Sequence, residues 1–278
     1  MQLHTINTGF FKLDGGAMFG VVPKSLWNKV NPADENNLCT WAMRCLLIEK
    51  DGKLILIDNG IGDKQDARFF SHYHLHGEDT LDKSLAALGY HRDDITDVLL
   101  THLHFDHCGG SIVRQGDRLV PAFKKATYWS HQRHWKWATV PNDREKASFL
   151  KENILPIEAS GQLRFVDESG PVIIPGLTVR LVNGHTDAMM LPQLRYKGKT
   201  LVFMADLLPS TGHFPIAWVM AYDMFPLKSL HEKRSFLEEA AAGGYVLFFE
   251  HDPHVECCVP EQTEKGVRPG AGFRLADY

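Results

Sequence analysis

The chain has 278 residues, of which 44% are hydrophobic and 23% charged, and its formal net charge is −4. The composition is typical of a globular protein, and the negative charge argues against a nucleic acid as partner. No apolar run approaches the ~20 residues of a membrane span, and the N-terminal stretch "MQLHTINTGFF" lacks the pattern of a signal peptide. The five cysteines form no CxxC pair, and their odd number indicates reduced thiols. We therefore expect a cytoplasmic protein without a membrane partner.

The first clear element along the chain is a hairpin. In "MRCLLIEKDGKLILIDNG" two apolar runs flank the two-residue turn Asp51-Gly52, which is the strongest short-range signal for paired strands. The chain contains no internal repeat and no low-complexity linker. We therefore expect a single domain, 1–278.

Two helices are predicted further along. "TLDKSLAALGY" places its leucines on one face, with Asp79 or Thr80 as the cap and Gly89 at the end. "PLKSLHEKRSFLEEAAAGG" is longer, with Pro226 near its start and Gly243-Gly244 after its end. Strands and helices are interspersed, which predicts sheets covered by helices.

Several apolar runs end in a residue that can bind a metal. The runs "KLILID", "DVLLTHLH", "LTVRLVNGH", "TLVFMAD" and "YVLFFEH" lead to Asp58, His102, His185, Asp206 and His251. Buried strands that stop at such residues bring them to one edge of a sheet, where sites in α/β proteins are often built.

The stretch "THLHFDHCGG", residues 101–110, crowds three histidines and an aspartate together. His102 and His104 are two apart, so in an extended chain they point the same way and reach one metal. A turn at Gly109-Gly110 lets Asp106 and His107 aim at a second point. A hydrogen-bonded polar loop is the alternative, but its desolvation and charge repulsion would go uncompensated without a metal.

A second histidine cluster lies upstream, in "HYHLH". His72, His74 and His76 follow a polar segment and have no acidic residue within their spacing. We expect an exposed or partly packed loop, with an accessory role at a pocket as the alternative.

The motif "THLHFDHCGG", followed by a later His, Asp and His in the same order, resembles the HxHxDH motif of the metallo-β-lactamase superfamily. The segments "LDGGAMFGVVPKSLW", "SLAALG", "MADLLP" and "WVMAYDMFP" resemble YtnP-type quorum-quenching lactonases, in the branch of the N-acyl-homoserine lactonases and methyl parathion hydrolase-like enzymes. The resemblance implies a mixed α/β (α+β) fold, which is a four-layer αββα sandwich with a dinuclear site between the edges of the two sheets.

The resemblance also implies a ligand set. One metal is held by His102, His104 and His185, and the other by Asp106, His107 and His251, with Asp206 as the bridge. Asp58 matches an early aspartate that orients the ligand loop. Two divalent ions are expected. Nitrogen and oxygen ligands without thiolate suit zinc, while manganese, iron and cobalt fit the same ligands.

The implied reaction is the opening of a lactone (ester) ring, with acyl-homoserine or related lactones as substrates, by a hydroxide that bridges the metals. Asp106 and Asp206 are the expected catalytic carboxylates beside it. A phosphotriesterase or arylesterase on the same site and an inactive metal-binding module remain the alternatives. The expected partner is a small lactone or ester, and the sequence does not decide between a monomer and a homodimer.

The substrate pocket is predicted from residues distant from the motif. Better-known homoserine lactonases place a tyrosine three residues after the bridging aspartate, where this chain has Pro209. His213 is the candidate for the missing catalytic polar group. The residues predicted to line an apolar acyl-chain pocket are Met18, Phe19, Trp27 and Trp135. Packing of these side chains into the core is the alternative.

Overall fold

The computed structural model describes residues 1–167 and 169–278. The strands are β1 (Gln2–Asp14), β2 (Leu38–Lys50), β3 (Lys53–Ile57), β4 (Asp97–Leu99), β5 (Ile112–Gln115), β6 (Arg118–Pro121), β7 (Thr127–Ser130), β8 (Leu163–Phe165), β9 (Leu177–Val182), β10 (Met189–Tyr196), β11 (Lys199–Phe203), β12 (Val246–Phe248), β13 (Cys257–Cys258), β14 (Pro260–Thr263) and β15 (Gly266–Pro269). The helices are α1 (Gly15–Phe19), α2 (Lys24–Trp27), α3 (Ala67–Ser71), α4 (Leu81–Ala87), α5 (Phe105–Cys108), α6 (Gln132–Thr139), α7 (Lys151–Ala159) and α8 (Pro226–Gly243). Among the described residues, no helix combines the length and the apolar character needed to cross a bilayer.

The strands form two large sheets and two small hairpins. The first sheet has the order β1-β2-β3-β4-β7-β8, and the second has the order β13-β12-β11-β10-β9. From β3 to β8 the strands of the first sheet are parallel, and β11 is parallel to β12 in the second. The hairpins are β5-β6 and β14-β15.

The first sheet is buried on both faces, as alternation along β2 demonstrates. Leu46 and Ile48 point into the core that the two sheets share, whereas Cys45 and Leu47 point into a core with α4, α6 and α7. A strand buried on both faces needs a continuous apolar run, and "CLLI" supplies it.

The second sheet carries its helix on the far side. Phe236, Leu237 and Ala240 of α8 belong to the same buried cluster as β11 and β12. The order of layers is therefore α4, α6 and α7, then the first sheet, then the second sheet, then α8. The predicted mixed α/β fold with four αββα layers is confirmed.

The hairpin β2-β3 and the helices α4 and α8 lie at the positions predicted from their turn and cap residues. Asp51 and Gly52 both have positive φ, 51° and 76°, which matches the twist of paired strands. The Thr80 side chain accepts a hydrogen bond from Lys83 N at the start of α4. Gly244 ends α8 in the left-handed conformation at φ 56°.

Candidate metal centre

Strands of both sheets end at one edge of the sandwich and carry the predicted metal ligands there. His102 and the residues after it follow β4, His185 follows β9, Asp206 follows β11 and His251 follows β12. All seven predicted ligands are buried, and none exposes more than 8% of its surface. The structure therefore collects them from four separate strand ends.

The loop with "THLHFDHCGG" lies tightly against the chain that follows β3. A side-chain carbon at Gly109 would lie 2.1 Å from the Ile61 carbonyl oxygen, and one at Gly110 would lie 2.2 Å from the Asn59 carbonyl oxygen. The φ of Gly109 is −60°, so a left-handed turn is not the reason for glycine there. The two glycines serve close backbone approach, which differs from the sharp turn expected from the sequence.

The first group of ligands consists of His102, His104 and His185. Nδ1 of His104 lies 3.1 Å from Nε2 of His102 and 3.1 Å from Nε2 of His185. Together with one oxygen of Asp206, these atoms all lie within 4.8 Å of one another. Ligands at about 2.0–2.2 Å from one zinc ion stand at comparable separations, so the group suits a single ion.

The second group consists of Asp106, His107 and His251. Nε2 of His107 lies 3.1 Å from Nε2 of His251. Oδ2 of Asp106 lies 3.8 Å and 3.7 Å from these two nitrogens. This group is also compact enough for one ion.

Asp206 faces both groups, with one oxygen toward each. Its Oδ2 lies 3.1 Å from Nε2 of His185 in the first group. Its Oδ1 lies 3.1 Å from Nε2 of His251 and 3.6 Å from Nε2 of His107 in the second. Among the described residues, the buried Oδ1 has no hydrogen-bond partner. A carboxylate in this position is suited to bridge two cations.

The outward-facing nitrogen of each ligand histidine has a partner of its own. The partners are Thr101 Oγ1 for His102 (3.1 Å), Glu145 Oε1 for His104 (2.9 Å), Asp58 Oδ2 for His107 (3.0 Å), Asp223 Oδ1 for His185 (2.9 Å) and the Ala42 carbonyl for His251 (2.8 Å). Such partners fix the ring orientation and the tautomer of a metal ligand. Asp58 also accepts hydrogen bonds from the backbone and hydroxyl of Thr101, in line with the orienting role predicted for it.

The inward-facing nitrogens fit a divalent cation. A ring that donates from its outer nitrogen presents a lone pair at the inner one when it is neutral. Between two neutral rings, lone pairs 3.1 Å apart repel one another unless a proton or a cation lies between them. A cation between them turns this repulsion into ligation.

The buried carboxylates of the centre shift the pKa values of its histidines. Burial opposes the protonation of His185 and His251, yet Asp206 raises their pKa values to about 10 and about 9. His102 lies farther from these charges, and burial lowers its pKa well below the usual range. The field that holds protons on His185 and His251 equally attracts divalent ions, which replace those protons.

Comparison with known proteins agrees with this centre. Residues 44–251 match the metallo-beta-lactamase superfamily, which is about three quarters of the chain. The chain belongs to the metallo-β-lactamase superfamily. The superfamily predicted from the motif is thus confirmed, and the protein is a metallo-hydrolase by membership.

Two solved structures share the fold over nearly the whole chain. A probable metal-dependent hydrolase from Staphylococcus aureus is 30% identical with a TM-score of 0.89, and the match covers 99% of this chain and 97% of that one. AidC, a dizinc quorum-quenching lactonase solved with a product, is 20% identical with a TM-score of 0.81, covering 98% and 95%. At that identity the likeness to AidC shows the fold alone.

One curated relative is an N-acyl homoserine lactonase of Bacillus cereus. It is 25% identical over 173 residues, which are 58% of this chain and 60% of the relative. The match therefore spans less than two thirds of that relative's length.

A cavity of about 380 Å³ opens onto the metal centre of this metallo-hydrolase. Its floor includes His104, Asp106, His185, Asp206 and His251. Apolar groups form much of the wall, namely Leu13, Ala17, Met18, Phe105, Met220 and Met224. Polar groups in the wall are Tyr73, Arg144, Glu145, Ser148 and Tyr222. The volume suits a small organic ligand.

His213 lies in the core behind the cavity wall. Its Nδ1 lies 2.8 Å from Ser210 Oγ, its Nε2 lies 2.9 Å from the Met18 carbonyl oxygen, and its ring stacks on Phe19 at 4.5 Å. Burial lowers its pKa to about 3, so the ring stays neutral. Because both nitrogens are occupied, the structure does not place His213 at the substrate as the sequence predicted.

Of the four predicted pocket residues, Met18 lines the cavity and the other three lie elsewhere. Phe19 at the end of α1 and Trp27 at the end of α2 are fully buried and stack on each other, with 5.4 Å between ring centroids. Trp135 lies on the buried side of α6, and its ring centroid is 6.3 Å from that of Phe165. These three aromatic residues pack the core, which is the alternative that the sequence left open.

Several functional residues escaped the sequence interpretation. Glu145 and Asp223 orient metal ligands, and Tyr73 and Tyr222 line the cavity. Tyr222 and Asp223 stand in the segment "WVMAYDMFP", whose resemblance to lactonases was a signal for them. Glu145 has no local signal, because only the fold brings it to His104.

Glu250, which precedes His251, is also buried at the centre. Its Oε2 lies 3.0 Å from Nδ1 of His107, on the same nitrogen that Asp58 contacts. Burial, assisted by the charge of Asp58, raises the pKa of Glu250 to about 8. A protonated Glu250 reduces the repulsion between two carboxyl groups that face the same nitrogen of His107.

The "HYHLH" cluster forms an exposed loop after α3, as predicted. His72, His74 and His76 are exposed, and His76 stacks on Phe10 at 5.6 Å. Between them, Tyr73 turns inward to the cavity.

Proposed function

We propose that the protein is a zinc-dependent lactonase that opens acyl-homoserine or related lactones. The observation that carries the proposal is the cavity. Its floor holds both ligand groups and Asp206, and its walls carry Met18, Met220 and Met224. Flexible apolar side chains of this kind accommodate an acyl chain beside a reacting ester.

Two divalent ions in these groups would lower the pKa of a water molecule and polarise the substrate carbonyl. His102, His104 and His185 would hold one, and Asp106, His107 and His251 the other, with Asp206 between them. Zinc suits this set of imidazoles and carboxylates.

Asp106 is the proposed proton carrier. Its carboxylate lines the cavity, and only 8% of the residue is exposed. When water adds to the carbonyl carbon, Asp106 accepts a proton and passes it to the ring oxygen as the C–O bond breaks. An alkoxide leaving group needs that proton, because alcohols are weak acids. Asp206, whose oxygens face both ligand groups, would hold the two ions beside each other.

The test is a panel of lactones of increasing acyl length, with acid release followed after zinc loading. Hydrolysis well above the rate without enzyme supports the proposal. Rates equal to the enzyme-free control at every chain length reject it. His72→Gln is the matched control, since it removes an exposed imidazole distant from the ligands and should change neither zinc content nor rate.

An arylesterase or phosphotriesterase activity is the second candidate. One cavity wall carries the rings of Tyr73, Phe105 and Tyr222, which suit an aromatic leaving group. Aryl esters and aryl phosphotriesters that release coloured phenols provide the assay. A much higher kcat/KM on these compounds than on lactones would make this the main activity.

A further inference from the structure

We propose that Tyr73 and Tyr222 are the substrate-contacting hydrogen-bond donors of the cavity. They bind an acceptor oxygen of the ester or lactone. The inference rests on the proposed ester-hydrolase function and identifies the residues that position its substrate.

Tyr73 is held beside the ligand segment from both its backbone and its ring. Its carbonyl accepts a hydrogen bond from Lys12 N at 2.7 Å, and its amide donates to the Phe70 carbonyl at 3.0 Å. Its ring packs on Phe105, with 4.6 Å between ring centroids. Because Phe105 immediately precedes Asp106, the phenol is fixed next to a predicted ligand.

Tyr222 is held by its chain neighbours on both sides. Ala221 N donates to the Ala17 carbonyl at 2.8 Å, and the Arg144 guanidinium donates to the Ala221 carbonyl. On the other side, Asp223 holds the ring of His185 at 2.9 Å. The segment around Tyr222 is therefore tied to α1 and to a metal ligand, while its own side chain lines the cavity mouth.

The two hydroxyls are free to donate. In the part of the chain that the structure describes, neither makes a hydrogen bond, whereas the core phenol of Tyr128 donates to the Ser111 carbonyl at 2.9 Å. Burial, with the charge of Asp106, raises the pKa of Tyr73 to about 12. Tyr222 is 37% exposed, and the partial desolvation of its phenol raises its pKa as well, so both remain protonated at neutral pH. An unpartnered O–H group above a reaction centre is a preorganised donor for a substrate oxygen.

Two other polar side chains in the wall, Glu145 and Arg144, are less suited to this task. Glu145 is bound to His104 and accepts further hydrogen bonds, and Arg144 donates to the Ala221 carbonyl. The phenols thus combine a neutral donor with an aromatic face against an otherwise apolar wall. This combination favours a substrate that has an acceptor oxygen and an apolar chain.

The experiment compares Tyr73→Phe and Tyr222→Phe with the zinc-loaded wild type. Each variant keeps the ring and removes only the hydroxyl, so we expect unchanged zinc content and melting temperature. We expect kcat/KM to fall about tenfold in each variant, which is the loss of one hydrogen bond near a reacting group. Tyr196→Phe on β10 is the matched control, and it should leave kcat/KM unchanged.

A binding measurement separates this inference from the proposed function. The dissociation constant of the ring-opened product N-hexanoyl-L-homoserine should rise in both variants. If the wild type hydrolyses aryl esters but no lactone, the lactonase proposal fails, and the same variants are tested on the aryl ester. If kcat/KM on the hydrolysed substrate and the dissociation constant of the product of that substrate both equal those of the wild type, the role of the phenols is rejected.

Discussion

At the scale of single residues, the centre depends on groups that never touch the metals. Glu145 is buried. Its carboxylate accepts a hydrogen bond from His104 Nε2 at 2.9 Å and another from Trp137 Nε1 at 2.6 Å. Its pKa is held at about 2, against the effect of burial, by the hydrogen bond and charge of His104. A carboxylate behind an imidazole raises the basicity of the ligand nitrogen.

We predict that Glu145→Gln weakens zinc binding at the first group by about 10–100-fold. Glutamine keeps the size and an acceptor oxygen but loses the charge that strengthens His104. Competition with a chromophoric chelator measures the zinc affinity of each ligand group. The zinc affinity of the second group should stay unchanged. Glu158→Gln, on the exposed surface of α7, is the control. Equal zinc affinity in wild type and Glu145→Gln would contradict the role of Glu145.

At the scale of elements, two helices hold the cavity and the ligand loop from behind. Lys233 of α8 is 1% exposed, and its ammonium donates to the carbonyls of His213, Pro215 and Trp218 at 2.9, 3.1 and 2.7 Å. It thereby fixes the segment that leads to Met220. From α6, His134 accepts a hydrogen bond from Leu103 N at 2.9 Å, within the ligand loop.

We predict that Lys233→Met lowers the free energy of unfolding by about 3 kcal/mol, because three buried carbonyls lose their donor. Urea unfolding measures this loss. Among the molecules that remain folded, KM should rise more than kcat falls, since the cavity wall loosens and the metal ligands stay. Lys228→Met on the exposed side of α8 is the control. If Lys233→Met has the same free energy of unfolding as the control, the three hydrogen bonds of Lys233 do not stabilise the fold.

His134 predicts a pH dependence of stability. Burial lowers its pKa to about 3 in the folded chain, from 6.5. Between these values the unfolded chain binds a proton that the folded chain does not, so the free energy of unfolding falls as pH drops from 6.5 toward 3. His134→Gln retains one acceptor and one donor without titrating. Urea unfolding of the metal-free protein at several pH values between 4 and 6 gives the free energy of unfolding as a function of pH. The slope of that function should show that the variant takes up about one proton fewer on unfolding than wild type. If the free energy of unfolding changes equally with pH in wild type and in His134→Gln, His134 is not neutral in the folded chain.

At the scale of the whole molecule, the αββα layering explains which features could be read from sequence. The hairpin turn Asp51-Gly52 and the end of α8 are local, so their residues predicted them. The ligands were predictable because buried strands that end at one edge share a location. Glu145 and Tyr73 were not, because loops far apart in the chain meet there only after folding. Phe19 and Trp27 failed as pocket residues because an aromatic side chain beside a site and one beneath it have the same local pattern.

The most direct test of the central claim, that the seven ligands form two adjoining metal sites, is anomalous diffraction from crystals of the zinc-loaded protein. Two zinc peaks should flank Asp206. One should lie among His102, His104 and His185, and the other among Asp106, His107 and His251. A single peak, or a peak confined to the buried group of Asp58, His107 and Glu250, would contradict it.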